Sequence, residues 1–450
     1  MASRFAPAVL RRLGLALALM LAGTVPAMAQ SLLRDAGMEH GLNLIARPIL
    51  VAAGLPSRST RVLIVNDPSL NAFVVDSRTI FIHSGLFLRL RSAAQLQAVI
   101  AHEVAHIANG HFARRRMNAA SSRTVTGLGV LMGLAVGVAA DNPGIGAGLI
   151  AGTAGSARGV FMGHTRAEET AADRSGMRYL AAAGIDPGAM RGVLDLFALH
   201  EDLNFSPRPS TGQSHPLTTE RIRAAEEFLS LLSVKPTNQA TADYWFARAQ
   251  GKLGAYLRPP RDTLAHAPRT RDDDAAIISR AMAYFRIPDL AAARREMAIL
   301  LDRLPEDAYV QELAGWFEIE NGNAPAALPY LARASDLAPD EPLILAGYGR
   351  ALLALDTPEG NRKALDTLET ARARDPADGR LLRDLSVAYA RAGNDGMAAL
   401  STAERYALAG RLNDAGIHAG RALGLLPVGS PGWARAEDIK QAAKTVEKRR

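Results

Sequence analysis

The sequence predicts a mainly helical protein in two parts: an α+β domain with a small sheet, then an all-α array of helical repeats. Three observations carry this expectation. Two β-branched and aromatic runs, 61–66 (RVLIVN) and 72–83 (AFVVDSRTIFIH), stand among segments of helical apolar spacing and mark the sheet. Past about residue 235 the texture turns to Ala-rich helices punctuated by proline. There Pro305 and Pro339 lie 34 residues apart and Pro376 follows after 37, the extra residues falling near Asp356–Asn361.

Residues 1–29 hold Arg4, Arg11 and Arg12, no acid, an apolar stretch at 13–22 (LGLALALMLA) and the triplet Ala27-Met28-Ala29. A basic start, a short apolar stretch and a small-x-small site read as a secretory signal peptide, so the mature chain is expected to begin at Gln30 in an exported, periplasmic setting. Three of the seven excess positive charges lie in this leader, which leaves the mature chain only mildly basic. The basic runs Arg114-Arg115-Arg116 and Lys448-Arg449-Arg450 lack aromatic interleaving and argue against nucleic-acid binding. The 450 residues contain no Cys, which excludes disulfide scaffolds, iron–sulfur clusters and thiol nucleophiles. Any metal must be held by His and carboxylates.

The elements follow in order. From Gln30 to about Thr60, helical spacing alternates with the breakers Pro48, Gly54 and Pro56. After the sheet, Ser92 can cap a helix over 92–117, with Leu96, Val99, Ile100, Val104 and Ile107 recurring on one face. Residues 124–157 carry Asp141 as their only charge, between two Gly-rich apolar blocks in which Gly129, Gly133 and Gly137 repeat every fourth position. That pattern fits either a buried helical hairpin or a flap facing a membrane or a partner. Further helices are expected over 166–183 and 187–200. In the repeats, the same offsets before each Pro give Ala281, Ala293 and Met297, then Gly315, Ala327 and Leu331, then Ala364 and Leu368. Small residues at those offsets let the paired helices of tetratricopeptide units pack closely. The expected division is 30–234 for the first domain and 235–450 for the repeats.

Residues 101–111 read AHEVAHIANGH. His102 and His106, four apart on a helix, project from one face and can grip one zinc ion, while Glu103 sits about 100° round and can serve as general base. His₂-carboxylate ligation makes zinc the default, one Zn2+ per chain. The pattern predicts a zincin-type metalloendopeptidase. His111 would lie about 180° from His102 on a continuous helix, which suits a structural or supporting role. In 165–173 (TRAEETAAD), Glu169 and Asp173 are four apart, so one can bind the metal while the other orients a His or an Arg; Glu168 points about 100° away.

The chain resembles the gluzincin metallopeptidases of family M48, and within it the secreted, BepA-like members that carry C-terminal tetratricopeptide repeats. The resemblance rests on NAFVV from Asn71, HSGL from His83, LQAVIAHEVAHIANGH from Leu96, TRAEETAAD from Thr165, AAGIDPGAM from Ala182 and SHPLTTERI from Ser214. It departs at Thr165, where many members have Ser. The resemblance implies that Glu169, in E-x-x-A-D, is the third zinc ligand and that Asp173 supports a ligand from behind. It implies a flexible or membrane-embedded segment where 124–157 falls. It also implies quality control of outer-membrane proteins, with misfolded or unassembled clients and the outer-membrane insertion machinery as partners of the repeats. A chaperone or assembly factor with a latent protease site is the alternative. The family's His-Pro motif matches His215-Pro216, and His215 is then either a fourth ligand that silences the site or a substrate contact. Arg221 and Arg223 are secondary candidates for contacting substrate.

Overall fold

The computed structural model describes residues 32–111, 165–203, 215 and 219–447; the expected signal peptide at 1–29 and the Gly-rich segment at 124–157 lie outside the described residues. A short strand β1 (Leu32–Leu33) leads into α1 (Ala36–Ala52), whose first turn is capped by the Asp35 carboxylate accepting from the Met38 amide at 2.8 Å. α1 runs through Pro48 and ends at Gly54, where φ is +69°.

The sheet contains β2 (Arg61–Val65), β3 (Ala72–Val74) and β4 (Thr79–His83) in the order β1-β2-β4-β3. The run 72–83, expected as one β segment, is a hairpin. Asp76 breaks it, its carboxylate accepting from the Arg78 amide at 2.7 Å and from the Thr79 hydroxyl. β4 pairs in parallel with β2 (Val62 opposite Ile80) and antiparallel with β3 (Phe73 opposite Phe81), which leaves β3 at the edge. Val62, Ile64, Ile80 and Ile82 point into the helical core, while Leu63, Phe73 and Phe81 cluster on the other face.

Six helices among the described residues complete the first part or join it to the second: α2 (Ser84–Arg89), α3 (Ala93–Ala108), α4 (Arg166–Ala182), α5 (Gly188–Leu203), α6 (Thr219–Leu229) and α7 (Ala240–Leu257). α7 serves two cores. Its Phe246, Ala249 and Leu253 are buried with α1 and α3, and its Ala255 belongs to the first repeat cluster.

The second part is an array of paired helices resembling tetratricopeptide repeats. After the short α8 (Pro260–His266) come α9 (Asp274–Arg286) with α10 (Leu290–Arg303), α11 (Ala308–Glu320) with α12 (Ala324–Leu337), and α13 (Pro342–Ala354) with α14 (Pro358–Arg374). α15 (Gly379–Arg391), α16 (Asp395–Leu408), α17 (Leu412–Leu425) and α18 (Pro431–Glu447) close the chain. The residues singled out by the proline register are the ones that pack: Ala281, Ala293, Ala327, Ala364 and Leu368 are all fully buried. Gly315 and Gly349 mark the closest approaches, since a Cβ there would lie 2.5 Å from Leu331 Cγ and 2.6 Å from Leu368 Cγ respectively. The three extra residues of the third unit lengthen α14 to 17 residues against 14 in α12. No helix among the described residues is long and apolar enough to cross a membrane.

The two parts share a seam along α1. Gly37 and Gly41, one turn apart, leave room for Tyr309 of α11 and Trp245 of α7, whose nearest atoms would lie 3.2 and 3.1 Å from an added Cβ. Ala36 is buried with Ala308, Ala334 and Ile344. Beside them Asp375, ahead of α15, accepts from Arg34 at 2.5 Å and from Arg61 at 3.1 Å, and Glu39 binds the same two arginines. The paired guanidinium groups outweigh burial and hold the Asp375 carboxyl well below the usual range.

Candidate active site

Two helices and one isolated residue build the site. α3 starts where the Ser92 hydroxyl accepts from the Gln95 amide at 3.2 Å, and its apolar face (Leu96, Val99, Ile100, Val104) is buried in the core. It ends at Ala108 rather than near 117: Gly110 takes φ +70° and turns the chain back. His111 is therefore not opposite His102 on a continuous helix. It lies against His106, Nδ1 to Nδ1 at 2.9 Å.

α4 starts with a capping box, Thr165 accepting from the Glu168 amide while the Glu168 carboxylate accepts from the Thr165 amide. That box occupies Glu168 at the surface and leaves Glu169, fully buried, pointing inward. The approach of α4 to α3 depends on Gly176, where a Cβ would stand 3.2 Å from the Ala101 carbonyl carbon. The result is a tight triangle. His102 Nε2 and His106 Nε2 are 3.0 Å apart, and each lies 3.4 Å from an oxygen of Glu169.

The hydrogen bonds behind this triangle fix its chemistry. His102 Nδ1 donates to Asp173 at 2.9 Å. Burial lowers the pKa of this ring, but Asp173 and Glu169 outweigh burial and raise it. In its neutral form the lone pair lies on Nε2, where a cation takes the place of the second proton. With His106 Nδ1 turned to His111, both Nε2 atoms and the Glu169 carboxylate converge as acceptors. Such a set calls for a cation, and a tetrahedral ion with bonds of about 2.0–2.1 Å needs donor atoms about 3.4 Å apart. His215 joins them: one donor atom from each of His102, His106, Glu169 and His215 lies within 4.8 Å of the others.

His215 Nδ1 is 2.9 Å from Glu169 Oε1 and its Nε2 is 3.2 Å from Glu103 Oε1. Burial alone would lower its pKa, but Glu169 and Glu103 outweigh burial and push it up to about 10. Burial keeps the His106 ring neutral, pushed down to about 4. Glu103 is buried, and its Oε2 has no hydrogen-bond partner among the described residues. Beside it opens an apolar recess of about 40 Å³, lined by Leu86, Val99, Met190, Val193, Leu194 and Phe197.

Arg221 differs from expectation. It is buried on α6, not presented to substrate, and bonds Asp173 through Nε at 2.8 Å and Nη2 at 2.9 Å and Glu169 through Nη1 at 2.8 Å. The physical reason is charge: two buried carboxylates one turn apart need a counter-ion, and a planar guanidinium bridges both. A basic residue six after His215 on a helix entry was the available signal. Arg223 is exposed.

Residues 39–229 match the sequence profile of peptidase family M48. This is an M48 peptidase domain. The M48 chain is 27% identical over 392 residues to the Beta-barrel assembly-enhancing protease of Escherichia coli (strain K12), a match that covers 85% of this chain and 78% of that one. It is 23% identical over 221 residues to the Mitochondrial metalloendopeptidase OMA1 of Schizosaccharomyces pombe, covering 46% of this chain and 62% of that protein. Among solved structures, yeast Tom70 overlaps 81% of the M48 chain and 82% of its own at 12% identity, with a TM-score of 0.31. Residues 39–229 are thus an M48 metallopeptidase region with a metal-binding His-His-Glu site, and the repeats rest on their own register and packing.

Proposed function

We propose that this chain is a periplasmic zinc endopeptidase, with one Zn2+ per chain, that degrades misfolded or stalled outer-membrane proteins while its repeat domain holds protein partners. The observation that carries the reading is the convergence of two imidazole lone pairs and one carboxylate beside a buried, partly unpartnered Glu103. The relative in Escherichia coli, named for assembly and for proteolysis, supports the client class because the match spans both parts of the chain.

His102, His106 and Glu169 would hold the zinc ion, which when bound supplies Lewis acidity to a carbonyl oxygen and to a water molecule. Asp173 fixes the His102 tautomer, and Arg221 neutralises Asp173 and Glu169 together. Glu103 takes a proton from the attacking water and returns it to the leaving amine. The water-excluding surroundings of Glu103 keep that proton from exchanging elsewhere.

His215 acts as a latch in this reading. Its ring reaches the donor cluster and also contacts Glu103, so once a bound cation displaces the proton that the two carboxylates favour, the ring competes with water for that cation. His215→Ala should keep its metal and raise proteolysis, self-cleavage included; lower activity with metal intact would make His215 a catalytic aid.

A second reading is an assembly factor with a latent protease site, favoured by the assembly role in that relative's name. One experiment tests both: zinc content and cleavage of casein or a misfolded porin by the wild type and Glu103→Gln. The peptidase reading expects one zinc per chain in both proteins and turnover lost at least a thousandfold in the variant, the order expected for removal of a general base acting with the metal. Equal cleavage by the two proteins would end it, while an assembly function that survives in Glu103→Gln would favour the second reading.

A further inference from the structure

The proline register lets the inner face of the repeats be compared unit by unit. Four and seven residues after the turn proline, α11 carries Tyr309 and Glu312, and α13 carries Leu343 and Ala346. α1 covers this face. Tyr309 packs on Gly37, Ile344 is buried with Ala36, and Lys252 bridges Asp35 at 2.5 Å and Glu312 at 3.8 Å. The salt-bridged seam with α1 ends at Asp375, in the turn before α15.

In α15 the equivalent positions are Arg380 and Arg383, followed one turn later by Val387, and all three are exposed. Here the face opens on a groove of about 730 Å³ between α15, α16 and α17, lined by Val387, Arg391, Asp395, Arg421 and Leu425 among others. Its apolar members are unusually bare: Val387 is 40% exposed and Leu425 54%. Arg391 and Arg421 line the groove against one acid, Asp395, and Arg380 and Arg383 extend the basic stripe along α15. Asp384 is shared between Arg350 and Arg383, Arg391 is held by Asp356, and Arg380 and Arg421 form no ion pair among the described residues.

We propose that the inner face of α15–α17 binds an extended segment of a partner protein in which acidic and aliphatic residues alternate. The face is continuous with the one that already holds α1, its apolar stripe runs beside arginines, and unpaired guanidinium groups select carboxylates. The inference rests on the reading of the repeats as a partner-binding domain and is independent of the peptidase chemistry.

The test is fluorescence anisotropy with the full chain carrying Glu103→Gln, so that the probe is not cut, and a labelled peptide of alternating Glu and Leu. Binding should weaken at least tenfold in Arg421→Glu and in Val387→Asp, and should fall as salt rises from about 50 to 300 mM. A Lys–Leu peptide that bound as well would overturn the charge selection, and unchanged binding in both variants would overturn the location. Concentration-dependent dimers dispersed by Val387→Asp would assign the face to a second copy of the chain and overturn the proposal. A protein that cleaves casein but ignores the peptide defeats this inference alone; one that binds the peptide without holding zinc defeats only the peptidase reading.

Discussion

The catalytic core and the repeat array both use glycine to bring two helices close, yet the consequences differ. At Gly176 the close approach joins α3 and α4, segments separated by about sixty residues, and brings Glu169 and Asp173 to His102. At Gly349 it joins α13 to α14, the next helix in the chain, and positions nothing but Leu368. The core converts a packing detail into chemistry, so damage there spreads; the array confines it, because each unit rests mainly on its neighbours.

The strongest way to sharpen this contrast is Arg221→Ala. It leaves Asp173 and Glu169 buried without their shared cation, and breaking such a pair costs about 3–5 kcal/mol. Calorimetry should report that loss, and titration of the apoprotein with zinc should show affinity reduced roughly 10–100-fold. Gly349→Leu should cost about 1–3 kcal/mol by overpacking against Leu368 while zinc affinity stays at the wild-type value. A drop in zinc affinity would break the comparison.

The seam between the regions offers a pH test. Burial and the charge of Glu39 push Glu341 up to about 7, well above the usual carboxylate range. A carboxyl raised on folding contributes stability that is fully present below about pH 4.5 and lost as pH rises through 7. Thermal stability should therefore decline by on the order of 1–2 kcal/mol between about pH 5 and 8, and Glu341→Gln should flatten that decline.

The smallest expected effect concerns substrate choice. Val99 precedes Glu103 by one turn and lines the apolar recess beside it, so that recess is expected to receive a substrate side chain next to the scissile bond. Phe197→Ala should shift preference at that position toward larger aliphatic residues by about tenfold in kcat/KM, read with a peptide series. A shift confined to another substrate position would misplace the recess.

What could be read from the sequence follows distance along the chain. Ser92, His102 and His106 lie on one helix, and a periodic pattern suffices to bring their roles into view. The choice between Glu168 and Glu169 stayed open from spacing alone and was closed only by family resemblance, although Thr165-x-x-Glu168 is itself a legible capping signal. Apolar spacing alone carries the helix past Gly110 and puts His111 on its far side, and no periodicity reports that Arg221, a secondary candidate for substrate contact, is a buried counter-ion. The hairpin at Asp76 was hidden inside a run of strand-forming residues. The seam was invisible for a deeper reason: hydrophobic spacing encodes which face of α1 is buried, not that its other face meets Tyr309 and Ile344.

The bond between Arg34 and Asp375 spans 341 positions of sequence. Closing a loop of that size costs chain entropy before the contact repays it, so this clasp is expected to form after the local helix pairs of the repeats. During synthesis the amino-terminal helix emerges first and waits for a partner made several hundred residues later. Until then Gly37 and Gly41 stay open, and the helix that supports α3 is clasped on one side only. A truncated chain ending before Asp375 would carry every residue of the metal-binding cluster and yet lack the clasp.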